Sequence, residues 1–341
     1  MRVAIYHNNN DVRLDERPRP PAGPGEISMR VEASGICGSD VMEWYRVPSA
    51  PLVLGHEIAG QVVEIGEGVT TFKPGDRVMA THHVPCNTCR YCLRGHHSAC
   101  GTLRTTHFDP GGFAEYVRLS PIHVDRGTYL LPESMSYEEG SFLEPLACVV
   151  RAQRLAGLTP GTSVAVLGSG ISGILQIQAA RACGAGRIVA TDVSGWRVDF
   201  ASRFGADAAI AAGPDVPDKI REVNDGRLAE LVLVCTAALP AIAQAFRSVD
   251  RGGTILFFAP TSPGVTYPVP LHDIWKDGIR IVHSYAGAPA DIVAARDLIA
   301  SKRVDVASMI THRLPLEETG RGFKMVVEAG ESLKVVIEPQ R

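Results

Sequence analysis

The chain has 341 residues, more than one hydrophobic core usually serves, so two domains are expected. Hydrophobic residues make up 45% and charged residues 21%, an ordinary balance for a folded protein, and the formal net charge is −3. A nucleic-acid partner or an anionic membrane surface would leave a basic footprint, and the sequence carries none.

Met1 to Asn10 lacks a basic region followed by a long apolar run, so no signal peptide is expected. The first ~145 residues read as β-rich, with apolar runs separated by Gly and Pro turns. Val3 to Tyr6, Ile27 to Val31, Ile58 to Ile65 and Val78 to Ala80 are strand candidates, and Pro74-Gly75-Asp76 is a turn feeding the last. The pattern changes near residue 150. Short apolar strands at Val164 to Leu167, Ile188 to Ala190, Leu231 to Val234, Ile255 to Phe258 and Ile279 to Val282 alternate with helical stretches at Ile171 to Cys183, Arg197 to Phe204 and Ala241 to Val249. Such alternation argues for a parallel sheet covered on both faces. The uncharged stretch Leu155 to Ala180 contains Pro160 and five glycines, and reads as a buried strand, turn and helix rather than a membrane span. After Tyr285 come one or two helices and a last strand, Val335 to Ile337.

Eight cysteines could mean disulfides, but Cys86, Cys89, Cys92 and Cys100 stand at metal-ligand spacing. Four thiolates this close can close a tetrahedral zinc site with no position open for substrate, so a structural role is expected. Thiolates on zinc fit a reducing cytoplasm. Cys148, Cys183 and Cys235 lie among apolar residues and read as inert core thiols. His82, His83, His107 and His123 match no ligand spacing and read as surface or satisfied histidines.

Gly168-Ser169-Gly170-Ile171-Ser172-Gly173 is a G-x-G-x-x-G between an apolar strand and a helix. Its glycines permit a tight turn and let a pyrophosphate approach backbone N–H groups at the helix N-terminus. Asp192, 22 residues beyond Gly170, can accept hydrogen bonds from ribose hydroxyls, or serve merely as a helix N-cap. Ile171 and Thr236 join the glycines and Asp192 as candidate cofactor contacts. A carboxylate at 192 favours NAD over NADP, while Arg197 is a cation that could accommodate a 2′-phosphate.

Cys37-Gly38-Ser39-Asp40, Gly55-His56-Glu57 and Phe142-Leu143-Glu144-Pro145 are scattered along the chain, and spacing does not show that they meet. In order, together with Gly60, Gly66, the four-cysteine loop, Gly111-Gly112-Phe113-Ala114-Glu115-Tyr116 and the ending Lys334 to Pro339, they resemble the zinc-containing medium-chain dehydrogenase/reductase family over essentially the whole chain. Within it the chain is most similar to the sorbitol, threonine and butanediol dehydrogenase branch.

That resemblance implies an α/β protein: a discontinuous GroES-like β-barrel catalytic domain, 1–148 and 287–341, and a Rossmann NAD-binding domain of doubly wound parallel sheet, 149–286. It implies two zinc ions per chain, NAD, a small-molecule alcohol, polyol or ketone substrate, and a homodimer or homotetramer. Cys37 and His56 match the catalytic-zinc ligands; Glu57 and Glu144 match two carboxylate positions that exchange with water. Ser39 matches the first hydroxyl of a proton relay, although Met42 replaces the histidine that continues it in many relatives, leaving water, Asp40 or Glu43 as exits. Ser284-Tyr285 stands where sorbitol dehydrogenases have Arg-Tyr, so Tyr285 keeps one substrate contact, and Trp44 and Tyr45 are pocket candidates. The implied activity is zinc-dependent hydride transfer between a secondary alcohol or polyol and NAD. A lyase or epimerase with tightly bound NAD, and a non-catalytic zinc- or nucleotide-binding protein, are the alternatives.

Overall fold

The apolar run at Ile27 becomes a nine-residue strand, Ile27–Gly35, because its apolar residues alternate: Ile27, Met29, Val31 and Ala33 share one face and are fully buried, while Arg30 and Glu32 on the other are part-exposed. It pairs antiparallel with Glu57–Ile65, which in turn pairs with Arg77–Thr81, and Gly35 lies directly opposite Glu57. The computed structural model describes residues 1–341, and the chain divides into two units. The first comprises Met1–Ala147, Gly287–Ala300 and Asp305–Arg341; the second comprises Cys148–Ala286 and Ser301–Val304.

In the first unit a seven-stranded sheet runs in the order Ile310–Pro315, Lys334–Glu338, Ile27–Gly35, Glu57–Ile65, Arg77–Thr81, Thr128–Leu130, with Tyr116–Leu119 also on Ile27–Gly35. A three-stranded sheet holds Arg2–Asn8 between Asp11–Glu16 and Leu52–Val53. One core gathers Ile27, Met29, Val31, Ile58, Val62 and Val78. A second is built on rings: Phe323 of the helix Thr319–Glu328 lies 5.4 Å from Tyr6 and 5.7 Å from Phe113. Residues from the end of the chain thus complete a core begun at its start.

In the second unit six parallel strands follow the order Ala208–Ala211, Ile188–Asp192, Val164–Leu167, Ala229–Val234, Val249–Phe257, Arg280–His283. The chain winds outward from Val164–Leu167 in one direction, then returns to its other side. That reversal falls between Val164–Leu167 and Ala229–Val234, and Gly168 and Thr236 sit just past the two strand ends. The uncharged stretch is the all-buried strand Val164–Leu167 and the helix Ile171–Ala182, eight of whose residues are buried. No helix is long and apolar enough to cross a membrane.

Short elements escape the sequence patterns: the strands Asp11–Glu16, Thr128–Leu130 and Ile310–Pro315 and the helices Val216–Val223 and Leu271–Asp277. Asp11–Glu16 is charged and mostly exposed, and it is extended because it pairs with Arg2–Asn8. Cys183 is not a core thiol; it ends its helix at an exposed position.

Gly173 is required sterically, since a Cβ there would collide with the carbonyl oxygen of Gly168. Gly173→Ala is expected to lower the melting temperature by several degrees and to weaken dinucleotide binding about tenfold or more, read by calorimetric scanning and nucleotide fluorescence titration.

Candidate active site and metal centres

Cys86, Cys89, Cys92 and Cys100 bring their sulfurs within 4.8 Å of one another. The Cys89–Cys92 and Cys86–Cys100 separations are both 3.6 Å, far beyond a disulfide bond of about 2.05 Å and close to the ~3.8 Å edge of a tetrahedron with zinc–sulfur bonds near 2.3 Å. Backbone N–H groups of Cys86 and Cys89 point at Sγ of Cys100 and Cys86. Hydrogen bonds from Thr88 help to hold the Cys86 thiol at about 5, in its metal-binding form. The donor set fits zinc.

The second centre is assembled from two loops and a strand. Cys37 follows the strand Ile27–Gly35, and His56 precedes Glu57–Ile65, whose first residue supplies a carboxylate. Ligand atoms of Cys37, His56 and Glu57 lie within 4.8 Å of one another. This sulfur, imidazole and carboxylate set suits a zinc ion that keeps a position open for an exchangeable ligand. Glu144 is buried at the start of the helix Leu143–Ala156 and does not belong to that close group.

Asp40 organises the centre. Completely buried, it accepts the Cys37 N–H at 3.0 Å, while its other oxygen lies 3.2 Å from His56 Nδ1 and 3.6 Å from an Arg46 nitrogen. A carboxylate on one imidazole nitrogen fixes the ring and leaves the other nitrogen for metal. Burial pulls the His56 pKa down, but Asp40 and Cys37 outweigh it and hold the imidazole well above its ordinary value. Burial raises Asp40, yet His56, Arg46 and the Cys37 N–H bring it below the usual carboxylate range. Glu57 pairs with the buried ammonium of Lys334, which also donates to the Ile36 carbonyl at 3.2 Å. The space for this pair exists because residue 35 is glycine; a Cβ there would collide with both Glu57 and Lys334.

Ser39 Oγ lies 3.5 Å from Cys37 Sγ and accepts an N–H from Arg46 at 3.1 Å. Nothing in the sequence pattern singled out Arg46. His82 was also missed: its ring lies 4.7 Å from that of His56 and 3.7 Å from His83, and its Nδ1 is buried without a partner. Burial, aided by His83 and His56, pushes His82 well below the ordinary imidazole value. His83 bonds the Leu103 carbonyl, His123 bonds Ser120 through Nδ1 while its Nε2 is buried without a partner, and His107 is exposed. A cavity of about 470 Å³ opens beside His56, lined also by Tyr45, Arg46, His82, Arg104 and His107. Trp44 does not line it and is 40% exposed, which removes it from both the pocket and the core.

In the second unit, Gly168, Gly170, Asp192, Arg197 and Thr236 line a cavity of about 640 Å³. Ile171 opens the helix that follows Gly170 and is not among the residues lining this cavity. Asp192 is buried; one oxygen accepts the Ser169 N–H at 2.7 Å and the other the Ser194 N–H at 2.9 Å. It therefore braces the glycine turn and the following helix start, with lone pairs remaining. Arg197 Nε is buried without a partner, a vacancy that suits an anionic or hydroxylated ligand. Tyr285 lines a different cavity of the same unit, about 500 Å³ and mainly apolar, between Phe258, Val269 and Ile281.

Residues 23–125 match the alcohol dehydrogenase GroES-like domain family, and residues 172–301 match the zinc-binding dehydrogenase family. The sorbitol dehydrogenase of Gallus gallus is 33% identical over 98% of this chain and 96% of its own. The chain belongs to the zinc-containing medium-chain dehydrogenase family. It is an oxidoreductase, with a GroES-like domain and a Rossmann domain. Among solved structures, 2R,3R-butanediol dehydrogenase from Bacillus subtilis superposes with a TM-score of 0.87 at 26% identity, covering 99% of both chains. A protein from Sinorhizobium meliloti described as a zinc-binding dehydrogenase, bound to NADP, gives 0.87 at 27% identity, again covering 99% of each chain.

Asp40→Asn keeps the shape of the dehydrogenase's buried site but removes the charge facing His56. It is expected to lower zinc affinity at the Cys37 centre about 10- to 100-fold, read as zinc lost to a competing chelator, with four-cysteine zinc retained.

Proposed function

We propose that this dehydrogenase oxidises a secondary alcohol or polyol to a ketone, or reduces the ketone, with a nicotinamide dinucleotide and two zinc ions per chain. The observation that carries the reading is the meeting of Cys37, His56 and Glu57 within 4.8 Å, with Asp40 on the far side of the imidazole. Cys37, His56 and Glu57 hold one zinc, with Glu144 as a further carboxylate, and the four-cysteine loop holds the other. When bound, zinc supplies a Lewis acid that lowers the pKa of an alcohol hydroxyl, and the dinucleotide supplies a hydride acceptor.

The chain's own residues then have three tasks. Asp40 keeps His56 in one tautomer and orientation. Ser39, beside the Cys37 sulfur, takes the proton released from the substrate hydroxyl, and the Arg46 N–H on its oxygen favours the form that has passed a proton on. Met42 carries no proton, so the exit from Ser39 runs through water. The Gly168 turn cradles the pyrophosphate, and Asp192 accepts from the adenosine ribose. Asp192 supports NAD as the coenzyme, whereas Arg197 and Arg247 in the same cavity favour NADP; a carboxylate already braced by two N–H groups tips the balance toward NAD. The sorbitol and butanediol dehydrogenase relatives support a polyol or diol substrate.

A homodimer or homotetramer is part of the same reading. Arg280–His283 is an edge strand of the parallel sheet, with Ile281 and the nearby chain positions Leu271, Trp275 and Tyr285 exposed. An open edge with apolar neighbours is stabilised when a second copy covers it.

The deciding experiment is a screen at 340 nm across sugar alcohols, diols, sugar acids and threonine with NAD and NADP, each with and without a zinc chelator. Steady coenzyme reduction abolished by chelation is expected; tightly retained coenzyme with no net reduction would favour the lyase or epimerase alternative. Cys37→Ser is expected to lose turnover while keeping dinucleotide affinity, and Ser39→Ala to lower kcat about 100-fold.

A further inference from the structure

The cavity beside His56 has a lining unlike that expected for a neutral polyol. A sugar hydroxyl both donates and accepts hydrogen bonds, so a polyol site combines donors with acceptors such as carboxylates or amides. No Asp, Glu, Asn or Gln side chain lines this cavity. Its polar groups are Tyr45, Ser49, Arg46, Arg104 and the imidazoles of His56, His82 and His107, and the rest of the wall is apolar.

The two guanidinium groups differ in how far the chain compensates them. Arg46 is committed: its Nε donates to the Ser39 carbonyl at 3.0 Å, one Nη to Ser39 Oγ, and Asp40 lies 3.6 Å away. Arg104 is held by a single contact, Nε to the Ser98 carbonyl at 3.0 Å, which orients the plane and leaves both terminal nitrogens without a protein acceptor. No carboxylate pairs with it. His107 beside it likewise has no partner. Arg104 is exposed at the cavity wall, and a guanidinium with both terminal nitrogens free is the shape that recognises a carboxylate or phosphate in bidentate fashion.

We propose that the substrate is an anionic alcohol, a hydroxyl-bearing carbon chain ending in a carboxylate or a phosphate, and that Arg104 binds the oxyanion while the reacting hydroxyl lies toward His56. An oxyanion only accepts hydrogen bonds, and the free terminal nitrogens of Arg104 only donate them, so the two match, while no carboxylate in the lining repels the anion. This rests on the reading of Cys37, His56 and Glu57 as the centre that handles the substrate hydroxyl. It narrows the substrate class from polyols in general to sugar acids or sugar-alcohol phosphates.

The test is isothermal titration calorimetry on the zinc-loaded full chain without coenzyme, using sorbitol, D-gluconate and sorbitol 6-phosphate at two salt concentrations. At least one anionic probe is expected to bind about tenfold or more tighter than sorbitol, and to weaken with salt. Preference for gluconate assigns the carboxylate source, and preference for sorbitol 6-phosphate the phosphate source. Arg104→Gln is expected to remove most of that preference, and Arg104→Lys to restore part of it. Arg104→Gln protein should show an unchanged melting temperature, which separates a lost contact from a damaged fold. Sorbitol binding as tightly as both anions, or anion affinity unchanged in Arg104→Gln, overturns the proposal. The two readings fail separately. Reduction of NAD by sorbitol with no gain for the acids leaves the dehydrogenase reading and sinks this one. Arg104-dependent anion binding without coenzyme reduction by any alcohol does the reverse.

Discussion

A buried carboxylate at position 57, facing a buried ammonium at position 334, is the constraint around which the first unit is organised. Both side chains are at most 1% exposed, and a lone charge so deep would cost several kcal/mol. The pair can exist only if three strands meet in one register. Glu57 lies opposite Gly35 on the neighbouring strand, and Gly35 in turn pairs with Val336, two residues past Lys334. Glycine at 35 leaves the volume that the carboxylate and ammonium share. The last strand of the chain must therefore return to the first part, and the discontinuity of this unit has an electrostatic reason as well as an apolar one.

The same carboxylate stands within metal-ligand distance of Cys37 and His56. Its charge is balanced by lysine in this arrangement. His56 is treated differently from its neighbours. Asp40 and Cys37 favour its protonated form in the absence of metal, the signature of a nitrogen that wants a positive partner. His82 and His83, packed ring against ring beside it, are pushed toward neutrality by burial, His83 to about 3. Neutral imidazoles add no positive charge against a cation at His56.

The parallel sheet was the most legible part of the fold. Its central strands are continuous apolar runs buried on both faces and read without knowledge of their neighbours, as Val164–Leu167 shows, whereas the partly exposed edge strand Ala208–Ala211 escaped notice. The four cysteines were equally plain, because all their ligands lie in one loop. What local pattern could not give were contacts between distant residues: Glu57 with Lys334, 277 positions apart, is invisible to any periodicity. Asp40 and Arg46 lie close to Cys37 in sequence, yet their roles depend on His56 arriving from another strand. Family resemblance named the ligand series; it did not point to Arg46 or the imidazole stack. Trp44 was misplaced for a simpler reason: an aromatic beside a site suggests a wall, and here its neighbour Tyr45 takes that position.

The four-cysteine loop has a consequence beyond its own stability. Between Cys86 and Thr105 few side chains are buried, and Leu93 is 75% exposed, so apolar burial alone does not shape this segment. Convergence of the four sulfurs within 4.8 Å shapes it instead, and in the proposed reading a metal would hold them there. Cys100 is also the residue that caps the short helix Gly101–Thr105. That helix presents the Leu103 carbonyl to His83 and carries Arg104 into the wall of the cavity beside His56. A cluster with no open position for substrate therefore sets where a pocket-lining cation stands. Cys37, His56 and Glu57 lie outside this loop, so any link between the two clusters runs through the wall that Arg104 forms rather than through shared ligands.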